Sequence, residues 1–155
     1  MQINNASLYD TNVRLILFSS INEIKDERLI HNIIASTGLN IVIKQILGSS
    51  GAGAQPDKFN WIALGTSTNA ESTNDTALGG EVGTRQQDTD PTFPALGQGQ
   101  LVVTFGTANA VGNISESGVF NSSNTTCILC RVTCAAIAKG TSDSLQVTWD
   151  ITISS

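Results

Sequence analysis

Charged and aromatic residues are both scarce in this sequence, and each shortage excludes a class of protein. Charged residues make up 14% of the 155 residues, and aromatic residues make up 5%. A helical bundle needs many Glu, Lys and Ala residues, so this composition argues against one. Apolar residues form 40% of the chain and are accompanied by Ser, Thr, Asn and Gly, which is typical of proteins built from strands and turns.

Positive charge and long apolar runs are scarce as well. Eight Lys and Arg residues stand against thirteen Asp and Glu residues, a formal net charge of −5. Phosphate binding needs clustered positive charge, so we expect neither nucleic acid nor an anionic membrane as a partner. The apolar run Val13–Phe18 is too short to span a bilayer, and the N-terminus lacks a signal-peptide pattern. We therefore expect a soluble protein made in a cytoplasm.

The residue types that bind metals or carry catalysis are few. The three cysteines lie on one expected strand, at Cys127, Cys130 and Cys134, without the second ligand pair of a typical zinc or iron–sulfur site. We expect buried, reduced thiols, with a single disulfide as the alternative. His31 is the sole histidine, and no Gly-x-Ser-x-Gly motif occurs, so we expect His31 at the surface or partly buried rather than in a catalytic triad.

A pair of carboxylates, Asp88 and Asp90, falls in a loop that contains prolines. We expect this loop to be solvated, with weak Ca²⁺ binding through oxygen ligands as the alternative. A glycan-acting enzyme would need such carboxylates in a groove, which the sequence does not indicate. The chain is therefore predicted to be non-enzymatic, with no catalytic residue, no metal site and no cofactor.

The hydrophobic pattern predicts a single, mainly β domain over residues 1–155, an antiparallel β-sandwich or jelly roll. In the last segment, apolar residues alternate with polar residues from Leu145 to Ser154, as in a strand with one buried face. This pattern places Trp149 on the inward face, and we expect Trp61 in the core as well. Apolar residues at helical spacing predict one short helix over residues 37–48. The remaining strands are expected at 12–19 and 21–30 (a hairpin), 59–65, 81–85 (an edge strand), 101–105, 113–120 and 127–133.

Several short motifs occur in a fixed order over residues 61–153. They read IALGT at 62–66, DTALG at 75–79, LVVTFG at 101–106, GNISESGVF at 112–120, Arg131, and LQVTWDITI at 145–153. In order and spacing the chain resembles a family of small phage and prophage virion proteins. The resemblance implies a β-sandwich module, used in capsid decoration and in tail-associated or fibre-associated proteins, with no catalytic residues to carry over.

From this resemblance we predict a capsid decoration (cement) protein on the capsid exterior, assembled in the host cytoplasm. Its expected partners are the major capsid protein and other copies of itself, as a homotrimer. The alternative is a tail, baseplate or fibre-associated module, with receptor or glycan binding as its role. Polar residues 1–7 are predicted to form an extended arm, and Glu116 and Arg85 an exposed ion pair across a sheet edge. The residues predicted to contact neighbouring subunits are Met1, Gln2, Ile3, Asn4, Asn5, Phe93, Pro94 and Leu96.

Overall fold

The computed structural model describes residues 11–31, 33–35, 38, 58–95, 98–124 and 127–152. The predicted arm over residues 1–7 lies outside these residues, and so does the predicted helix over 37–48 apart from Gly38. Within the described residues no helix is long and apolar enough to cross a membrane. The strands are β1 (Thr11–Phe18), β2 (Ile24–His31), β3 (Ile33–Ile34), β4 (Trp61–Gly65), β5 (Glu81–Gln87), β6 (Gln98–Phe105), β7 (Gly112–Phe120), β8 (Ile128–Lys139) and β9 (Ser144–Thr152).

These strands form two antiparallel sheets. Sheet A has the order β2-β1-β9-β6, and sheet B has the order β3-β8-β7-β4-β5. The predicted mainly β, antiparallel sandwich is therefore confirmed, including the first hairpin and the edge position of β5. Strands β5, β6 and β8 extend beyond their predicted bounds, because their pairing with β4, β9 and β7 reaches Gln87, Gln98 and Lys139.

The main core lies between the two sheets. In β9 the side chains of Leu145, Val147 and Trp149 are fully buried and alternate with partly exposed polar residues, as the sequence predicts. Strands β1 and β6 flank β9 and contribute their own alternating apolar residues to the same cluster. The indole Nε1 of Trp149 donates a hydrogen bond to the hydroxyl of Ser117 on the opposite sheet, at 3.3 Å. This bond satisfies the one polar atom that the buried indole carries.

The prediction that Trp61 lies in the core was wrong in detail. Trp61 is only partly buried and packs against a second, smaller cluster that contains Phe120 and Ile128. Its neighbour Ile62 pairs with Val119 and faces the main core, so Trp61 and its pairing partner Phe120 lie on the outer face of sheet B. An apolar run along β4 does not reveal which residue faces which cluster, because both faces of this strand are covered.

The two tryptophans therefore predict different mutational costs. We expect Trp149→Ala to lower the free energy of unfolding by about 3–5 kcal/mol, because it empties a large, fully buried position. Trp61→Ala, at a partly exposed position, should cost clearly less. Chemical denaturation of the two variants measures the difference, and equal losses would contradict the assignment of Trp149 to the main core.

Candidate interaction surface

A buried ion pair joins two strands on the outer face of sheet B. Glu116 on β7 is completely buried, and Arg131 on β8 is 3% exposed. The guanidinium Nε and Nη2 of Arg131 lie 2.9 Å and 2.8 Å from one carboxylate oxygen of Glu116. Burial lowers the pKa of Arg131. Hydrogen bonds and the charges of Asp75 and Glu116 together raise this pKa by more than burial lowers it, so the net pKa lies above its ordinary value. The guanidinium is therefore permanently charged.

The same pair holds the loop over residues 66–80 against sheet B. The Glu116 carboxylate accepts hydrogen bonds from the backbone N–H groups of Gly80 at 2.7 Å, Gly79 at 3.0 Å and Ser67 at 3.2 Å. Arg131 in turn donates to the carboxylate of Asp75 at 3.0 Å and to the carbonyl oxygen of Asn69 at 3.1 Å. A carboxylate whose oxygens are buried and occupied in this way has a structural role.

The predicted exposed pair between Glu116 and Arg85 was wrong. Strand β4 lies between the strands of these two residues, and Arg85 instead pairs with Glu81 on its own strand at 2.8 Å. The Arg85 guanidinium also stacks on the Phe120 ring, 3.5 Å from its centroid. The Glu116 side chain has room because its pairing partner on β4 is Gly65. Any side chain at position 65 would collide with the Glu116 carboxylate.

The structure also corrects the prediction of a solvated loop at Asp88. Asp88 is 8% exposed, and its carboxylate accepts hydrogen bonds from the backbone N–H groups of Val102 at 2.7 Å and Asp90 at 2.9 Å. Thr92 and Gln100 add a pair of backbone hydrogen bonds beside it. These hydrogen bonds cover the edge of β6 that does not face β9, so the Asp88 carboxylate caps an edge strand. Asp90 is exposed.

The cysteines do not form a cluster with ligand geometry. Cys130 is buried in the main core, and Cys127 and Cys134 are partly buried; none forms a disulfide. Burial raises the pKa of Cys127 and of Cys134, which keeps these thiols protonated at neutral pH. Among the residues that the structure describes, no group of three or more His, Cys, Asp or Glu residues could hold a metal ion.

The exposed apolar residue that sequence analysis selected, Phe93, lies beside a groove. Phe93 is 79% exposed, and Pro94 next to it is also exposed. Leu96 and the predicted contact residues 1–5 lie outside the described residues. We call the groove the end groove; its volume is about 630 Å³. Its lining is mainly apolar and comprises Phe59, Pro91, Phe93, Ala95, Leu101 and Ile151, with Lys58, Asn60 and residues 98–100.

Strand register places the start of β1 at the same end of sheet A. Thr11 pairs with Ile151 of β9, and Ile151 pairs with Gly99 of β6. The Phe93 ring lies 3.8 Å from the position that a Cβ of Gly99 would take. Thr11, the first residue of β1, therefore lies at the end of the sheet that carries Phe93 and the end groove.

Comparisons of this chain with protein-family models, with curated proteins and with solved structures found no match. The resemblance to phage virion proteins therefore stays a prediction. Several of its motif residues, Asp75, Gly79, Glu116 and Arg131, meet in the buried ion network, which is a structural role.

Breaking the buried ion pair should be costly. We expect Glu116→Gln to lower the free energy of unfolding by about 3–5 kcal/mol, because it leaves the buried Arg131 without its closest carboxylate. The matched control is Glu27→Gln, which breaks the Arg14–Glu27 pair at 2.8 Å between side chains that are 49% and 45% exposed. That change should cost about 0–1 kcal/mol. Equal costs in urea denaturation would contradict a special role for the buried pair.

Glu71 provides a pH prediction. Partial burial raises its pKa. Hydrogen bonds from Thr133 and the charge of Arg131 together lower this pKa by more than burial raises it, so the net pKa lies below its ordinary value. A lowered pKa stabilises the fold above the carboxylate's unfolded pKa of about 4.3, and that contribution disappears as the pH falls through the folded pKa. Glu71→Gln should therefore cost up to about 1 kcal/mol at pH 7 and progressively less in acid. Unfolding curves at several pH values test this, and a cost independent of pH would refute it.

Proposed function

We propose that this protein is a non-enzymatic capsid decoration protein, which binds the outer surface of a phage shell. Its partners are the major capsid protein and further copies of itself, in a homotrimer. The resemblance of its motifs to small virion proteins and its antiparallel two-sheet fold support this proposal. A decoration protein acts only by burying surface, so a stable, compact module with one exposed contact region is what the role requires.

The observation that carries the proposal is the end of sheet A. Phe93 presents an aromatic ring that is 79% exposed, beside the apolar end groove, and strand β1 begins at the same end. Aromatic residues are enriched among the residues that dominate binding energy at protein interfaces. An exposed ring next to an apolar groove suits contact with a neighbouring protein, where both become buried together.

The carboxylates support a binding role over a catalytic one. Glu116 and Asp88 are buried, and each accepts backbone hydrogen bonds that hold a loop or cap a strand. The net charge of −5 also suits a protein that sits outside the shell, away from packaged nucleic acid. Repetition of a modest contact over a symmetric shell supplies avidity, so each single contact need not be strong.

The first test is where the protein occurs and how often. Quantitative mass spectrometry of purified particles of the virus that encodes this chain should find the protein on heads. Because a shell offers many repeated binding sites, we expect roughly hundreds of copies per particle. A small number of copies confined to tails would favour the alternative, a tail or fibre-associated module. Complete absence from particles would refute a virion role.

The second test concerns the contact surface. Phe93→Lys should weaken binding to undecorated shells by about 30-fold or more, the effect of losing an aromatic anchor worth about 2 kcal/mol. The matched control is Leu29→Lys, because Leu29 on β2 is similarly exposed, at 72%, and lies outside the end groove. Both variants should unfold like the native protein. Equal binding by the two variants would contradict docking through the end of sheet A.

A further inference from the structure

A buried lysine lies at the end of the sandwich opposite the end groove. Lys139, the last residue of β8, is 2% exposed and follows the core residue Ile137 by two positions, so its side chain points between the sheets. Its ammonium Nζ donates a hydrogen bond to the carbonyl oxygen of Gly106, just after β6 of sheet A, at 2.9 Å. In the part of the chain that the structure describes, this carbonyl is the only hydrogen-bond acceptor for the ammonium group. An ammonium group has three N–H donors, so one carbonyl oxygen leaves it incompletely paired.

The carboxylate beside this lysine is already bound to another lysine. Nζ of Lys25 lies 2.8 Å from Oδ2 of Asp143, and the same oxygen accepts a hydrogen bond from the backbone N–H of Gly140 at 2.9 Å. Burial lowers the pKa of Lys139. The charge of Asp143 raises this pKa by less than burial lowers it, so the net pKa lies below its ordinary value. Two lysines thus share one carboxylate, and one positive charge at this end of the sandwich is not compensated.

The two lysines and the carboxylate line one pocket, which we call the lysine pocket. Small residues keep it open. Gly112 has a φ of 137°, and a Cβ at this position would meet nothing within 4 Å. Lys139 pairs with Gly112 across β7 and β8, so the lysine side chain starts beside this open position. The volume of the pocket is about 280 Å³, and its lining consists of Lys25, Gly112, Asn113, Ala138, Lys139, Gly140 and Asp143.

We propose that the lysine pocket binds the carboxylate group of a small organic acid. The carboxylate accepts charge-assisted hydrogen bonds from the ammonium groups of Lys139 and Lys25. Its single negative charge matches the one positive charge that Asp143 leaves uncompensated, whereas a doubly charged phosphate would exceed it. The pocket is smaller than the roughly 300–1,000 Å³ typical of sites for drug-sized ligands, which favours a small acid. This site is separate from the end groove and does not depend on the proposed capsid role.

Acetate is the probe, and acetamide, which has a similar shape but no charge, is its matched control. The chain contains four lysines, so protein labelled with ¹³C-lysine gives four side-chain Cε signals, and Lys139→Met identifies the signal of Lys139. At constant ionic strength, acetate should shift this signal to saturation with a dissociation constant of about 1 mM, because so small a ligand has little surface to bind. Acetamide should bind about tenfold more weakly, since it lacks charge-assisted hydrogen bonds. No shift with acetate, or equal shifts with both probes, would overturn the proposal.

Two variants should change the affinity for acetate in opposite directions. Lys139→Met removes the buried ammonium and should abolish the acetate-dependent shift of the Lys25 signal. Asp143→Asn keeps an acceptor for the backbone N–H of Gly140 but removes the competing negative charge, so it should tighten acetate binding several-fold. The matched control is Lys58→Met, because Lys58 lines the end groove instead, and it should leave the affinity unchanged. If Lys139→Met does not fold, Asp143→Asn still decides, and unchanged or weaker acetate binding by this variant would contradict the proposal.

Dilution distinguishes a free acid from a carboxylate on another copy of this chain. If a free acid is the ligand, the Lys139 signal without acetate should be independent of protein concentration, and acetate should shift it equally in dilute and concentrated samples. A signal that moves on dilution and does not respond to acetate would show that a second copy fills the pocket, and it would refute binding of a free acid.

Discussion

The buried pair of Glu116 and Arg131 is the interaction on which the outer face of sheet B depends. Burying a carboxylate and a guanidinium costs several kcal/mol unless each is fully hydrogen-bonded. Here the loop over residues 66–80 supplies the missing partners through three backbone N–H groups, two carbonyl oxygens and the carboxylate of Asp75. A loop of this length without regular structure would otherwise be expensive to order. The charges and the loop therefore require each other.

Side chains also complete the edges of the two sheets. Asp88 caps the open side of β6, and the side-chain amide of Asn109 pairs with both backbone groups of Thr84 on β5, at 2.9 and 3.1 Å. On β2, the other edge strand of sheet A, Asp26 and Arg28 form an ion pair at 2.7 Å. Capped and charged edges oppose strand-to-strand aggregation.

The candidate surface was only partly predictable. Phe93 was selected because few aromatic residues fall in loops, and the structure places it in the solvent beside a groove. The groove itself was missed, because its walls come from three separate parts of the chain. Asp88 was taken for a solvated residue, since nothing local shows that its carboxylate reaches Val102 on β6. Glu116 was assigned the wrong arginine, because Arg131 and Arg85 are both plausible partners by charge and only strand order separates them.

The sequence by itself determined the fold class and the positions of most strands. Alternation along β9 and the apolar runs of β1 and β4 are local signals, set by the two-residue repeat of a strand with one or two buried faces. The tertiary structure alone decided which side chains pair, because strand order and register bring together residues far apart in sequence. Thr11, Gly99 and Ile151 lie in one row, and Glu116 meets Asp75, Gly79 and Arg131, for that reason. Local patterns carry no information on such distant contacts, which depend on how the two sheets are assembled.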